Sequence, residues 1–507
     1  MREEVAAAVK KLKDNKSPGV DEIPAELIKA GGEDMISALH QLLNCIWEKE
    51  QWPTEWTKSI LVTIPKKGDL ADCANYRTIA LISHLSKVLL LIMLQRLKVS
   101  LEPHLSEEQG GFRSDRSTVQ QILTLRLIAE KYRERSRPVY NCFVDYTKAF
   151  DSVWQEGLWA VLQSYRVPCK LVRLLKNLYD NSKLAVLVDK SVGEWFKAEV
   201  GSRQGDPISP LAFITLLERV MEKTESSTQS DNIRIHGRII KDLRFADDVD
   251  LISASEGGLQ SLVTTLVTDS TDYGLQINKK KTKVMVFKRD MLQVNPIIVV
   301  GGEQLETVSE FVYLGALLTS NNDCTPEIKR RINLASQTVG MLKSLWVSGE
   351  LTTKTKLDLM TSCVLSRLLY AAETWTLKLA DKRRLLAFEM RCYRRILKIS
   401  WRDRVSNVSI RQRLQRHSSV VSIIARRKLQ LFGHICRMDD DRLVKTVMLG
   451  MVDGDRTRGR PPRRWIDDII DWCGCTLPAA VHLTVNRTQW NEKIDDVVAG
   501  LDGPSGL

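Results

Sequence analysis

The stretch Leu243-Arg244-Phe245-Ala246-Asp247-Asp248-Val249-Asp250-Leu251-Ile252 sets two short apolar runs on either side of adjacent carboxylates. Runs of this length with alternating side chains predict strands, and the acids fall where the chain must reverse, so the segment reads as a tight hairpin. Neither acid is Gly or Asn, the residues that a relaxed primed turn prefers. That mismatch points to a strained turn kept for its chemistry, although Asp is a favoured turn residue and an ordinary surface turn would look the same in isolation.

A second acidic stretch changes the weighing. Val139-Tyr140-Asn141-Cys142-Phe143-Val144-Asp145 predicts a buried strand stopped by a carboxylate, after which Tyr146 to Trp154 turns helical. Carboxylates delivered by neighbouring strand ends within about 4–6 Å repel one another unless cations lie between them. Asp145, Asp247 and Asp248 are therefore candidate ligands of a divalent metal. Hard oxygen ligands with few protein partners suit Mg²⁺, which shares its shell with water and substrate phosphates. Two such ions about 4 Å apart can activate a 3′-hydroxyl and steady a leaving pyrophosphate.

Phe143-Val144-Asp145 through Ala149-Phe150-Asp151, then Gly201-Ser202-Arg203-Gln204-Gly205-Asp206-Pro207-Ile208-Ser209-Pro210, then Phe245-Ala246-Asp247-Asp248, resemble in this order the reverse transcriptases of non-LTR (LINE-type) retrotransposons. The resemblance runs from the first residues to beyond position 400. It implies an α+β right-hand polymerase with an N-terminal helical extension over 1–47 and a reverse transcriptase domain over 48–315, divided into fingers 48–138 and palm 139–315. A helical thumb over 316–400 and a basic C-terminal region over 401–507 follow. The implied activity is that of an RNA-directed DNA polymerase, a nucleotidyltransferase that extends a primer 3′ end with dNTPs on an RNA template in retrotransposition. It would use two Mg²⁺ ions, with Mn²⁺ as the substitute. Met1 already falls within the polymerase region, so the upstream endonuclease of full-length elements is expected to be missing and supplied in trans. Two alternatives are a non-catalytic nucleic-acid-binding relic and an RNA-synthesising polymerase. The presence of all three acids and Gln204 argues against the first, and a bulky residue shortly after the first Asp argues against the second.

The same resemblance assigns further roles. Ser59 to Ile64 and Thr78 to Ile82 read as two strands whose connection carries Lys66, Lys67 and Arg77, the implied phosphate ligands of a fingers flap; a solvated basic loop is the alternative. In Gln109-Gly110-Gly111-Phe112-Arg113-Ser114-Asp115-Arg116-Ser117-Thr118 the Gly pair permits close backbone approach to a strand. Arg113 and Arg116 are implied template-phosphate contacts, and Ser117 or Thr118 caps the next helix. Gln204 and Gly205 lie in a rigid Pro-flanked loop that would place a helix start beside the nucleotide. Phe150 is the implied ribose gate, or else a core residue of its helix. Lys281, in Asn278-Lys279-Lys280-Lys281-Thr282, is the implied lysine near the triphosphate, or else part of a solvated charged face. Tyr313, in Phe311-Val312-Tyr313-Leu314-Gly315, falls in the primer-grip strand. The helical thumb would present Arg383, Arg384, Arg394 and Arg395 to a duplex backbone. Arg456 to Arg464 reads as a basic linker that packing cannot fold.

Length and charge agree with this assignment without requiring it. A chain of 507 residues with 43% hydrophobic residues supports several packed cores. A net charge of +13 suits a polyanionic partner. Ten cysteines lie singly apart from Cys473 and Cys475, and with His482 these lack the ligand number and spacing of a zinc site. Reduced thiols and the absence of a secretory leader predict an intracellular protein, nuclear or cytoplasmic. No apolar run reaches membrane-spanning length, so no membrane partner is expected.

Overall fold

The structure is a computed structural model, and it describes residues 1–66, 68–188, 191–203, 205–228, 231–288, 295–415, 418–455 and 462–502. The alternating runs become strands of two principal sheets, matching the α+β class. In the palm sheet the spatial order is Glu306–Thr307, Lys283–Phe287, Val139–Val144, Asp248–Ser253 and Asp242–Phe245. Val139–Val144 lies at the centre, antiparallel to both neighbours, with Val144 opposite Val249 and Phe143 opposite both Asp250 and Lys283.

A central strand with two covered faces has no polar side to give to water. Cys142 and Val144 accordingly enter one core with Val249 and Leu251, backed by the helices Ser209–Ser227 and Glu256–Asp272. Val139 and Phe143 enter a second core on the opposite face, together with Ile252 and the helix Thr118–Arg133. Each fully buried aliphatic side chain contributes about 1.5–3 kcal/mol. One strand feeding two cores therefore anchors everything placed at its end. Inside this sandwich Asn141 Nδ2 donates to both carboxyl oxygens of Asp250, at 3.0 and 2.8 Å, and Arg244 donates to Asp242 at 2.7 Å.

The fingers sheet pairs Lys58–Pro65 antiparallel with Tyr76–Leu81 and parallel with Lys183–Val188. Its third strand comes from the segment expected to be palm. The N-terminal helix Arg2–Lys11 buries Val5, Ala8 and Val9 in the same core as the fingers helix His84–Leu101 and is no separate extension.

The thumb has its own core, from Cys324 to Ile424. The boundary expected at 315/316 falls inside a hairpin, since Glu310–Tyr313 pairs with Ala316–Thr319. The boundary at 400/401 falls inside the thumb core. Helix Val420–Cys436 starts in that core and ends in the palm's second core. There it is joined by Leu443–Leu449, Trp465–Cys473, Leu477–Thr484 and Arg487–Asp502. The C-terminal region thus plasters the back of the palm. Of the expected basic linker, 456–461 lie outside the described residues. Arg463 and Arg464 are anything but loose: Arg463 pairs with Asp468 and Asp471, and Arg464 with Asp467. Among the described residues no helix is long and apolar enough to cross a membrane.

Candidate active site

The strands Asp242–Phe245 and Asp248–Ser253 meet with Phe245 opposite Asp248, which leaves Ala246 and Asp247 as the two-residue turn. The turn is displaced by one residue from the Asp pair. Its strain is carried by Ala246, with φ 61°. A left-handed alanine costs about 1–2 kcal/mol. The buried Gln109 side chain offsets that cost: Oε1 accepts the Ala246 N–H at 2.9 Å and Nε2 donates to the Ala246 carbonyl at 3.3 Å. Such bonds contribute about 0.5–1.5 kcal/mol each. Gly111 must be glycine here, because a Cβ would lie 2.1 Å from the Ala246 nitrogen.

Asp145 follows directly on Val144, and the Val144–Val249 register sets it beside Asp248 at the same end of the sheet. Its backbone is held by the segment after the palm's second helix, with the Asp145 N–H donated to Thr282 Oγ1 at 3.2 Å and the Asp145 carbonyl accepting the Asn278 N–H at 2.7 Å. That segment delivers Lys281, whose Nζ lies 3.5 Å from Asp145 Oδ1. The contact is an ion pair outside hydrogen-bond geometry, and Oδ1 is buried without a hydrogen-bond partner.

Burial pushes the Asp247 carboxyl above its ordinary range; the Asp145 charge adds to this, while Arg77 and Lys281 oppose it. Asp248 rises to about 6, first through burial and then through the charges of Asp247 and Asp145. Asp247 and Asp248, whose carboxyls resist ionising, stand beside Asp145, whose buried Oδ1 has no hydrogen-bond partner, and such a cluster favours a positively charged ligand. The residues present fit a hard divalent cation. Among the described residues no three His, Cys, Asp or Glu close into a cage by themselves.

Asp145, Asp248 and Lys281 line one open cleft with residues 311–315 of the hairpin that begins at Glu310. Arg77, opposite Ile64 on the fingers hairpin, is exposed and near enough for its charge to act on Asp247. Lys66 is exposed on the same hairpin, its N–H bonded to the Asn75 carbonyl. Lys67 and Gln204 lie outside the described residues. Gly205 has φ 104°, and a Cβ would approach the Ala80 carbonyl oxygen to 2.5 Å, so the loop presses directly on the fingers sheet. Phe150 sits half-buried in a short 3₁₀ turn, Ala149–Ser152. Its ring is 4.7 Å from Phe213 and 6.3 Å from Phe112.

Several expected nucleic-acid contacts have partners within the protein. Arg113 is 4% exposed and spends its guanidinium on Glu102 and on the carbonyls of Ser106 and Gln109. Arg116 is bound by Glu107, and burial is the first cause of its lowered pKa. Both brace the loop before the helix that Ser117 caps through the Gln120 N–H. Tyr313 is 2% exposed and packs under the sheet against Phe143, while its neighbour Val312 faces out. In the thumb, Arg383 is exposed. Arg394 instead holds the Val405 carbonyl and Asn407, and Arg384 pairs with Asp381. Sequence reasoning missed Gln109 as a site residue; the Gly-Gly that follows it was the available signal.

Residues 64–318 match the family described as reverse transcriptase (RNA-dependent DNA polymerase). Among curated relatives, the Pol polyprotein from type-1 retrotransposable element R2 of Nasonia vitripennis is 25% identical over 59% of this chain and 29% of its own length. The corresponding R2 protein of Popillia japonica is 28% identical over 55% of this chain and 38% of its own. The RNA-directed DNA polymerase from mobile element jockey of Drosophila funebris is 24% identical over 62% and 35%, respectively. The chain spans less than half the length of each of these relatives.

Proposed function

The chain belongs to the reverse transcriptase family, and from that premise we propose that it is an RNA-directed DNA polymerase of a non-LTR retrotransposon, extending a primer 3′ end with dNTPs on an RNA template. The observation that carries this reading is the meeting of Asp145, Asp247 and Asp248 at one sheet end, with the acidity of Asp247 and Asp248 suppressed and with Arg77 and Lys281 near them.

Asp145 and Asp247, supported by Asp248, would hold two Mg²⁺ ions, with Mn²⁺ as the substitute. When bound, these ions supply charge neutralisation for the attacking 3′-hydroxyl and the departing pyrophosphate. The protein's own part is positioning and electrostatics, which carry most of the rate in phosphoryl transfer. Arg77 and Lys66, on the fingers hairpin, bind and orient the triphosphate. Lys281 neutralises its tail and donates a proton to pyrophosphate. Gln204 and Gly205 border the nucleotide, and Phe150 lies under its ribose. The RNA template and DNA primer run past the cleft toward the thumb, where exposed Arg383 meets phosphates.

Primer extension on an RNA template with Mg²⁺ tests the reading. The wild type makes DNA, and Asp247→Ala loses extension while primer–template affinity stays within about threefold, because affinity comes from basic residues elsewhere. A wild type that binds primer–template tightly yet never extends it overturns polymerase activity in favour of a nucleic-acid-binding relic.

A further inference from the structure

Resting on the polymerase reading above, we infer that Gln109 is a positioning residue whose carboxamide fixes the peptide of Ala246 and thereby the direction in which Asp247 leaves the turn. The side chain is fully buried. One planar group meets the turn on both of its backbone functions, accepting the Ala246 N–H at 2.9 Å and donating to the Ala246 carbonyl at 3.3 Å. The same Oε1 accepts the Gly111 N–H at 2.7 Å, which ties the amide to its own loop.

The loop is itself fastened to the hairpin. Gly110 N–H donates to the Arg244 carbonyl at 2.8 Å and Arg244 N–H to the Glu108 carbonyl at 2.9 Å, so Gln109 and Arg244 form a parallel β-bridge on the hairpin's edge. Gln121 bridges the Glu108 and Arg244 carbonyls from the helix behind, at 2.9 and 3.2 Å. The clamp therefore has a rigid base. Its object is a residue that L-amino acids rarely place at φ 61°, directly before Asp247. Glutamine suits this task better than any neighbour in size: methionine has neither function, and glutamate at neutral pH keeps the acceptor but sets a carboxylate oxygen against the Ala246 carbonyl. The loop also touches the turn after Asp145, since Phe112, at φ 57°, sets its ring edge-on to Phe150.

The test is a double-mutant cycle between Gln109→Met and Ala246→Gly, read three ways on the full chain. First, amide exchange of peptides covering 243–250 is slow in the wild type and faster by at least tenfold in Gln109→Met, whether or not the protein polymerises. Second, kcat for primer extension falls by at least tenfold in Gln109→Met, normalised to active sites by single-turnover burst, while KM for dNTP and primer–template affinity stay within threefold. Third, adding Ala246→Gly recovers at least threefold of that kcat, because glycine adopts the left-handed turn without help. Unchanged exchange, or a kcat within twofold of wild type, overturns the inference. A loss that Ala246→Gly fails to recover also overturns it, in favour of a packing role. If Gln109→Met does not fold, Gln109→Glu replaces it and is read by the same exchange and kcat criteria. A wild type without polymerase activity would fail the functional reading above, while the exchange measurement would still decide the clamp.

Discussion

Lys428 Nζ lies 2.6 Å from Asp468 Oδ2, and neither side chain is exposed to solvent. Lys428 also donates to the Trp375 carbonyl at 2.9 Å and stands 4.8 Å from the Trp465 ring centroid, while Arg463 holds the other oxygen of Asp468 at 2.8 Å. This pair joins the helix shared by thumb and palm to the C-terminal helices. Asp468→Asn leaves a buried ammonium with reduced compensation, and breaking such pairs costs about 3–5 kcal/mol. Thermal unfolding of Asp468→Asn is expected at a clearly lower temperature, with the loss largely restored by adding Lys428→Met. A double variant no more stable than the single one would contradict this account.

The ribose gate is tested by sugar choice. Phe150 is packed on one side by Phe213 and touched edge-on by the exposed Phe112. Phe150→Ala should raise rNTP use relative to dNTP by about tenfold or more, since a steric block of even one atom is worth about 1–3 kcal/mol. Equal loss with both sugars would make Phe150 a core residue only.

Salt dependence separates the outward arginines from the inward ones. Neutralising Arg383, Arg391 and Arg395, all exposed on the thumb helix Leu379–Ile396, should lower the log–log salt slope of primer–template binding by about one per lost phosphate contact. Arg113→Gln should leave the slope unchanged and reduce stability instead, because its partners are Glu102 and two carbonyls. A slope change from Arg113→Gln would mean that the loop opens to bind template.

Glu130 gives the fold a pH dependence of predictable sign. Burial raises its carboxyl from 4.5 to about 7, against the Trp465 N–H that it accepts at 2.7 Å. Between those values the folded protein keeps a proton that the unfolded chain releases, so stability from this group is greatest below about pH 4.5 and falls until about pH 7. The size is on the order of 3 kcal/mol by linkage. Glu130→Gln removes that term and still accepts the N–H, so its melting temperature should exceed the wild type's by a margin that widens from pH 5 to pH 8. A margin independent of pH would place the cost elsewhere.

The chain's own pattern was enough to determine the strand that ends at Asp145, the hairpin carrying Asp247 and Asp248 and the helix that Ser117 caps, because periodicity and capping are local properties. Alternation assigns Phe311 and Tyr313 to one face and Val312 to the other. Only the packing of Phe143 beneath them decided that Tyr313 is buried. A basic side chain near a cleft likewise reads as a phosphate ligand until a distant acid claims it, as Glu102 and Glu107 claim Arg113 and Arg116. Tertiary structure also put the left-handed strain of the turn on Ala246 rather than on either Asp, gave Gln109 its partner far along the chain, and drew Lys183–Val188 into the fingers and the C-terminal helices onto the palm. Each of these depends on contacts between residues remote in sequence, where burial and pairing outweigh the preference of any single segment.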